Sequence, residues 1–326
     1  MSLIFYVVAF LISIFILAWL SSHLIKALVS LAKYLGWREF IIAFFIMAIA
    51  GSLPNLFVDI GAALRGFPQL AFGDILGGNL VDLTLVMALA ILMSKGFVPA
   101  ESKMVQQSAM FTAVIATMPL FLILDGKLGR MDGLILISAF FVYAFWLFSK
   151  GDRFKKIYRG QRRQPVEGFS KFLWDLIKII IFLIILLTAS QIIINSAQYF
   201  SNKLGVSISL VGLLIIGLGN CFPEAYFSIL SARKGESYMI LGDLMGSIIS
   251  CATLVLGIVA VIAPFEINDF SPFVIARIFL IIALAIFLIA IRTGEKLTKK
   301  EALILLFIYV VFLLTEIFLP TVKWIL

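Results

Sequence analysis

The chain has 326 residues, of which 63% are apolar and 13% charged, and its formal net charge is +8. Soluble domains run at about 45–50% apolar and about 25% charged, so no aqueous core of this length hides so much apolar surface. Those proportions argue against an aqueous enzyme, a nucleic-acid binder and a disordered chain, and point to a polytopic membrane protein.

A helix crossing the hydrocarbon needs about 20 mostly apolar residues. Apolar runs bounded by charged or turn residues lie near 3–22, 40–63, 69–94, 105–124, 131–148, 172–199, 206–231, 238–264, 271–291 and 302–322. Unpaired backbone is forbidden in lipid, so each run is a helix or a barrel strand, and continuous rather than alternating apolarity selects helices. The expected fold is therefore all-α and polytopic, with about ten transmembrane helices. No Lys or Arg precedes the first run, which reads as helix 1 rather than a cleavable signal peptide. His23, the sole histidine, falls near the end of that run as an interfacial residue. Cys221 and Cys251 lie in apolar segments and offer no disulfide framework.

Positive residues collect on the cytoplasmic side of a membrane. The connection after helix 5 carries Lys150, Arg153, Lys155, Lys156, Arg159, Arg162, Arg163 and Lys171. Placing it inside puts nineteen Lys and Arg on the cytoplasmic face and six outside, with both termini outside. The net charge is then a consequence of topology, with anionic lipid a secondary partner of the 150–171 loop.

Residues 50–90 and 219–259 align without a gap at an offset of 169. Pro54 matches Pro223, Gly66 matches Gly235, Gly73-Asp74 matches Gly242-Asp243, Gly77 matches Gly246, and Thr84-Leu85-Val86 matches Thr253-Leu254-Val255. Leu35-Gly36 matches Leu204-Gly205, so the repeat begins earlier still. Five helices per half is an odd number, so the second copy enters the membrane from the opposite side. The chain divides into a first five-helix repeat at 1–149, a basic cytoplasmic linker at 150–171 and a second, inverted repeat at 172–326. Inverted repeats are a design of secondary transporters, whose site lies where the repeats meet.

Charge in the hydrocarbon costs at least ~2.5–3.5 kcal/mol per residue and marks function by default. Five acids lie in the repeated segments, Asp59, Asp74, Asp82, Glu224 and Asp243, with Arg65, Arg233 and Lys234 confined to helix connections. Such a group needs metal ions, protons or both. Asn55 and Asp59 share a helix face, as do Glu224 and Ser228; Asp74, Gly78 and Asp82 recur at four-residue steps, as do Asp243, Ser247 and Cys251. Pro54 and Pro223 free the carbonyls of Ala50 and Gly219. Carbonyls plus carboxylates are the oxygen environment a hard cation such as Ca²⁺ prefers.

At these residues the sequence resembles the calcium/cation antiporter superfamily, which includes the sodium/calcium exchangers. That family carries two inverted motifs, G-T-S-x-P-E followed by G-N-x-x-G-S-N. Here the first reads Ala50-Gly51-Ser52-Leu53-Pro54-Asn55, then Gly73-Asp74-Ile75-Leu76-Gly77-Gly78-Asn79. The second reads Gly219-Asn220-Cys221-Phe222-Pro223-Glu224, then Gly242-Asp243-Leu244-Met245-Gly246-Ser247-Ile248. The resemblance implies a central cation site on helices 2, 3, 7 and 8. Glu224 matches the second motif's glutamate, and Asn55 stands where the first would be. Asp82 falls where exchangers place Asn or Asp, and Cys251 holds the equivalent point of helix 8. Ser52 and Ser247 match motif serines, Gly51 and Gly78 have lost the expected hydroxyls, and Asp74 and Asp243 replace the motif's Asn.

On this reading Glu224 and Asp82 ligate a divalent ion, Asn55, Ser52, Ser247 and freed carbonyls complete the shell, and Asp74, Asp243 or Asp59 binds Na⁺ or takes up H⁺. Four of the acids have a plainer alternative: Glu224 a structural hydrogen bond, Asp74 and Asp243 helix caps, Asp59 a bond between helices; the place of Asp82 deep in helix 3 leaves few. The cysteines are small buried residues, or, as thiolates, ligands for Mn²⁺ or Zn²⁺. The expected function is antiport of Ca²⁺ or a similar divalent cation against Na⁺ or H⁺ by alternating access, helices 1 and 6 moving against the rest. A Mn²⁺ or Zn²⁺ exchanger, a cation channel and a transport-inactive relative are the alternatives. No catalytic triad, nucleotide loop or histidine cluster supports an enzyme, and neither a cofactor, a nucleic acid nor an obligate protein partner is expected; membrane lipid and inorganic cations are.

Overall fold

The structure, a computed structural model, describes residues 3–34, 52–149, 169–235, 237–267 and 271–318. The first repeat contributes α1 (Leu3–Tyr34), α2 (Leu53–Leu64), α3 (Pro68–Met93), β1 (Val98–Pro99), α4 (Lys103–Leu122), β2 (Lys127–Leu128) and α5 (Arg130–Ser149). The second contributes α6 (Phe169–Leu204), α7 (Ile208–Lys234), α8 (residues 237–262), β3 (Phe265–Glu266), α9 (Ser271–Gly294), β4 (Lys296–Leu297) and α10 (Lys299–Phe318). Among the described residues, nine helices are long and apolar enough to cross a bilayer, and α2 is a shorter apolar helix. The expected start of helix 2 at 40–51, with Gly51 and the freed carbonyl of Ala50, lies outside the described residues, as do most of the 150–171 linker and residues 319–322 of helix 10.

Helix 1 is longer than the apolar run that announces it, continuing from residue 22 to Tyr34. Helix formers continue without Gly or Pro until Gly36, so nothing ends the helix where the hydrocarbon does. His23 consequently sits inside the helix, its ring beside Trp19 and Phe182. In α6 the same logic carries the helix to Leu204, where Gly205 takes φ 67°.

In two helix pairs the repeat is exact in the backbone. In α3, Pro68–Val81 passes through a π-turn at Asp82–Val86 into Met87–Met93. In α8, Ser237–Ser250 passes through a π-turn at Cys251–Val255 into Leu256–Ile262, every boundary 169 residues later. The bounds of α5 and α10 are displaced by the same amount. Thr84 and Thr253 donate their hydroxyls to the carbonyls of Leu80 and Ile249, one in each copy.

Two short antiparallel ribbons join the repeats. β1 pairs with β4, Val98 opposite Leu297, and β2 pairs with β3, Lys127 opposite Glu266. One ribbon therefore puts the α3–α4 and α9–α10 connections on one face, and the other puts the α4–α5 and α8–α9 connections on the opposite face. A 2.6 Å ion pair between Lys127 and Glu266 reinforces the second ribbon and holds the lysine ammonium above its usual range.

Burial decides the layers. In α3 and α8, 83% and 78% of the span is buried, against 28% for the spanning part of α1. α1 and α6 pack on each other through Leu17, Leu20, Leu24, Leu186 and Ile193, and rest on Val58 and Ala62 of α2 and Val211 of α7. Large apolar side chains cover the outside, among them Phe145 (77% exposed) and Phe15 (70%). An exposed apolar belt of that extent is what lipid solvates, and the chain is an integral membrane protein.

α3 and α7 cross backbone against backbone. A Cβ on Gly73 would stand 2.2 Å from the Ser209 carbonyl oxygen, and one on Gly77 2.0 Å from that of Leu213. Small residues permit such approach in membranes. At Gly78 a Cβ would meet only the Cys221 sulfur at 3.6 Å. Gly77→Ala is therefore expected to lower stability in detergent by at least ~1–3 kcal/mol, the cost of overpacking, and Gly78→Ala by far less. Thermal unfolding of the two variants side by side measures the difference.

Candidate cation site

α7 is interrupted at Cys221 (φ −81°, ψ 0°), and the helix resumes at Phe222–Lys234 with Pro223 in its first turn and Glu224 beside it. Pro223 cannot bond the carbonyl of Gly219, which receives the Cys221 N–H instead. The described part of α2 likewise starts after Ser52, with Pro54 in its first turn. A helix start carries positive partial charge, which favours the acidic Glu224 in the first turn after Cys221.

Between these breaks, side chains from the two repeats interlock. Asn55 Nδ2 donates to Cys251 Sγ at 3.3 Å, and Asn220 Nδ2 donates to Asp74 Oδ2 at 2.6 Å. Cys221 Sγ donates to the Gly78 carbonyl at 3.3 Å. Within the second repeat, Ser247 Oγ donates to Glu224 Oε1 at 3.3 Å and Ser228 Oγ to Asp243 Oδ2 at 3.5 Å. Asp82 reaches Cys221 and Ser247, and Asp59 faces Asp74. Ser52, Asn55, Asp59, Asp74, Asp82, Glu224, Ser247 and Cys251 are all buried, while Asp243 is half-buried. All nine residues expected from the sequence thus lie on α2, α3, α7 and α8.

What these side chains lack is positive charge and donors. Among the described residues no lysine or arginine acts on any of the five carboxylates. Six buried acceptor atoms have no hydrogen-bond donor: Asn55 Oδ1, both oxygens of Asp59, Asp82 Oδ1, Asn220 Oδ1 and Glu224 Oε2. A buried acceptor without a donor costs ~1–3 kcal/mol, more when charged, and a cation supplies what the protein withholds. Among the described residues no three His, Cys, Asp or Glu side chains converge tightly enough to hold a metal alone. A bound cation would draw the rest of its shell from amide, hydroxyl and main-chain oxygens, such as Asn55, Ser247 and the carbonyl of Gly219.

The sequence pattern of the family described as sodium/calcium exchanger protein matches the chain twice, over residues 5–149 and 174–318. The protein belongs to the sodium/calcium exchanger family. Both bounds of the second match lie 169 residues after those of the first, the spacing of the backbone repeat. Among relatives, the inner membrane protein YrbG of Escherichia coli is 27% identical over 77% of this chain and 78% of its own. The sodium/calcium exchanger MaX1 of Methanosarcina acetivorans is 23% identical over 90% of this chain and 93% of its own. Of solved structures, the H⁺/Ca²⁺ exchanger CAX superposes with a TM-score of 0.74 at 16% identity, covering 98% of this chain and 83% of that one. The sodium–calcium exchanger NCX_Mj gives 0.66 at 19% identity, covering 96% and 99%. The latter two establish the exchanger fold.

Two features escaped sequence reasoning. Asn220 holds Asp74 across the repeat interface; it stands within the second motif, but nothing local to it indicates a partner 146 positions away. The π-turns open at Asp82 and Cys251, the two equivalent site positions, and π-turns gather at functional sites. Their only trace in the sequence is the Thr84/Thr253 match.

Removing an uncompensated buried carboxylate relieves repulsion and so separates stability from binding. In EDTA, Glu224→Gln and Asp82→Asn are expected to unfold at or above the wild-type temperature. Ca²⁺ is expected to stabilise the wild type by ~2.7 kcal/mol at a hundredfold excess over its dissociation constant, and both variants by about half that or less at the same concentration. Thermal melts with and without Ca²⁺ give the comparison.

Proposed function

We propose that the protein is a secondary-active antiporter that exchanges Ca²⁺, or a divalent cation like it, for Na⁺ or H⁺ at the acidic site between the repeats. The observation that carries this reading is the set of donorless buried oxygens on Asn55, Asp82 and Glu224, in a site where no lysine or arginine among the described residues acts on the carboxylates. Membership of an exchanger family, and relatives whose names include a sodium/calcium exchanger, support it.

Glu224 and Asp82 take the divalent ion, and Asn55, Ser52, Ser247 and the Gly219 carbonyl fill its oxygen shell. Hard oxygen ligands suit Ca²⁺. The thiols are a poorer basis for Mn²⁺ or Zn²⁺, because Cys221 donates to Gly78 and Cys251 accepts from Asn55. Asp59, Asp74 or Asp243 serves the coupling ion. Competition of the two cations to neutralise one acidic cluster makes transport an exchange, since leaving the cluster empty strands its charge in the membrane.

Alternating access needs one part to move against another. The β1–β4 and β2–β3 ribbons tie the two repeats at both faces. α1 and α6 pack chiefly on one another, and we assign the motion to them. By the distribution of Lys and Arg, the 150–171 linker joining repeats 1–149 and 172–326 is cytoplasmic and both termini lie outside.

In sealed vesicles, Ca²⁺ uptake is expected under an opposing Na⁺ gradient or pH gradient. Glu224→Gln and Asp82→Asn should each cut it by about tenfold or more, the loss of one ligand hydrogen-bonded as an ion. Whichever gradient drives uptake names the coupling ion. Correctly inserted protein that moves Ca²⁺ under neither gradient overturns the calcium reading, and the same vesicles then test Mn²⁺ and Zn²⁺.

A further inference from the structure

The inverted repeat supplies its own control for the acids at its centre. Residue 59 of the first repeat corresponds to residue 228 of the second, and residue 74 to 243. In the second repeat the pair is Ser228 and Asp243, and the serine hydroxyl donates to the carboxylate. The first repeat places Asp59 against Asp74 in the same positions, two acceptors facing one another. Asp59 has no solvent exposure, and no donor reaches either of its oxygens. The hydroxyl hydrogen that satisfies Asp243 has no counterpart here.

A second side chain points to the same vacancy in the chemistry. Asn220, 3% exposed, fixes Asp74 through Nδ2, and its own Oδ1 is left without a donor. Three free oxygens from two helices, together with the Asp74 carboxylate, thus form an acceptor-only group. The groups acting on it are few. Asp59 faces Asp74 on α3 and lies within electrostatic reach of Cys251 on α8. Asp74 meets Asn220 on α7, with Cys221 and Asp82 within electrostatic reach. On the α6 side, Gly61 of α2 is approached by Ser190, Gln191 and Ile194, none of which titrates. Arg65, at the far end of α2, is bonded to Asn195 and exposed.

We infer that Asp59, Asp74 and Asn220 form a monovalent-cation site, separate from the Glu224–Asp82 ligands, that holds the coupling ion as a single H⁺ or Na⁺ between two carboxylates. The inference rests on the antiport reading and sharpens it. It assigns the coupling ion to the two acids of the first repeat, with Asn220 of the second, and excludes the equivalent Ser228–Asp243 pair, where one carboxylate oxygen has a serine donor. One positive charge between two carboxylates satisfies both, as in carboxylate dyads that share a proton. The remaining amide oxygen suits Na⁺, so either monocation meets the same chemistry.

The test is Asp59→Ser, which writes the second repeat's residue into the first and gives Asp74 an internal donor. Two transport modes are read in vesicles: Ca²⁺ uptake driven by a Na⁺ or pH gradient, and Ca²⁺–Ca²⁺ exchange, which needs no coupling ion. Gradient-driven uptake is expected to fall about tenfold or more, the loss of a contact to a charged group. Ca²⁺–Ca²⁺ exchange is expected to fall by no more than about threefold, the scale of an indirect effect. Uptake within about threefold of wild type, or the two modes falling together in correctly inserted protein, overturns the separate site. A wild type that performs neither mode overturns the antiport reading instead. The pair is then judged by infrared spectroscopy, which needs no transport. A protonated-carboxyl band at neutral pH that is lost in Asp59→Ser supports the proton form. Carboxylate bands that shift when NaCl replaces choline chloride, in the wild type alone, support the sodium form. No Asp59-dependent band in either arm overturns the site.

Discussion

Everything at the centre of this protein follows from carboxylates held in a low-dielectric interior where, among the described residues, no lysine or arginine acts on them. Asp82 and Glu224 each keep one oxygen without a donor, and Asp59 keeps two. An interior that leaves charges unmatched is stable only when something from outside supplies the match. In an exchanger, that dependence couples the movement of one cation to that of another.

Holding such groups close takes a scaffold that brings main chains unusually near. Gly73 and Gly77 let α3 lie directly on the backbone of α7, which places Gly78 under Cys221 and Asp74 under Asn220. The π-turns at Asp82 and Cys251 then redirect α3 and α8 at the positions where each contributes to the site. On both faces the ribbons fasten one repeat to the other, while α1 and α6 pack chiefly on each other.

The two halves share a backbone and differ in chemistry. Asn55 opposes Glu224, Asp82 opposes Cys251, and Asp59 opposes Ser228, so charge lost at one position of a repeat is present at another. A symmetric frame carrying asymmetric side chains gives two unlike oxygen environments from one fold. On the proposed reading, this asymmetry is how a divalent and a monovalent cation find different partners within one cleft.

Much of this was written in the sequence. The spans, the 169-residue inversion and the nine polar residues on α2, α3, α7 and α8 are set by local apolarity, by the Gly, Pro and Asp coincidences, and by the cost of charge in lipid, none of which needs distant contacts. Helix ends were less legible, since α1 runs on past its apolar stretch wherever no Gly or Pro stops it. Only the tertiary structure decided which acids find donors. Asn220 serves Asp74, Ser228 serves Asp243, and nothing serves Asp59, because a hydrogen bond depends on the approach of side chains that the sequence separates by up to 146 positions.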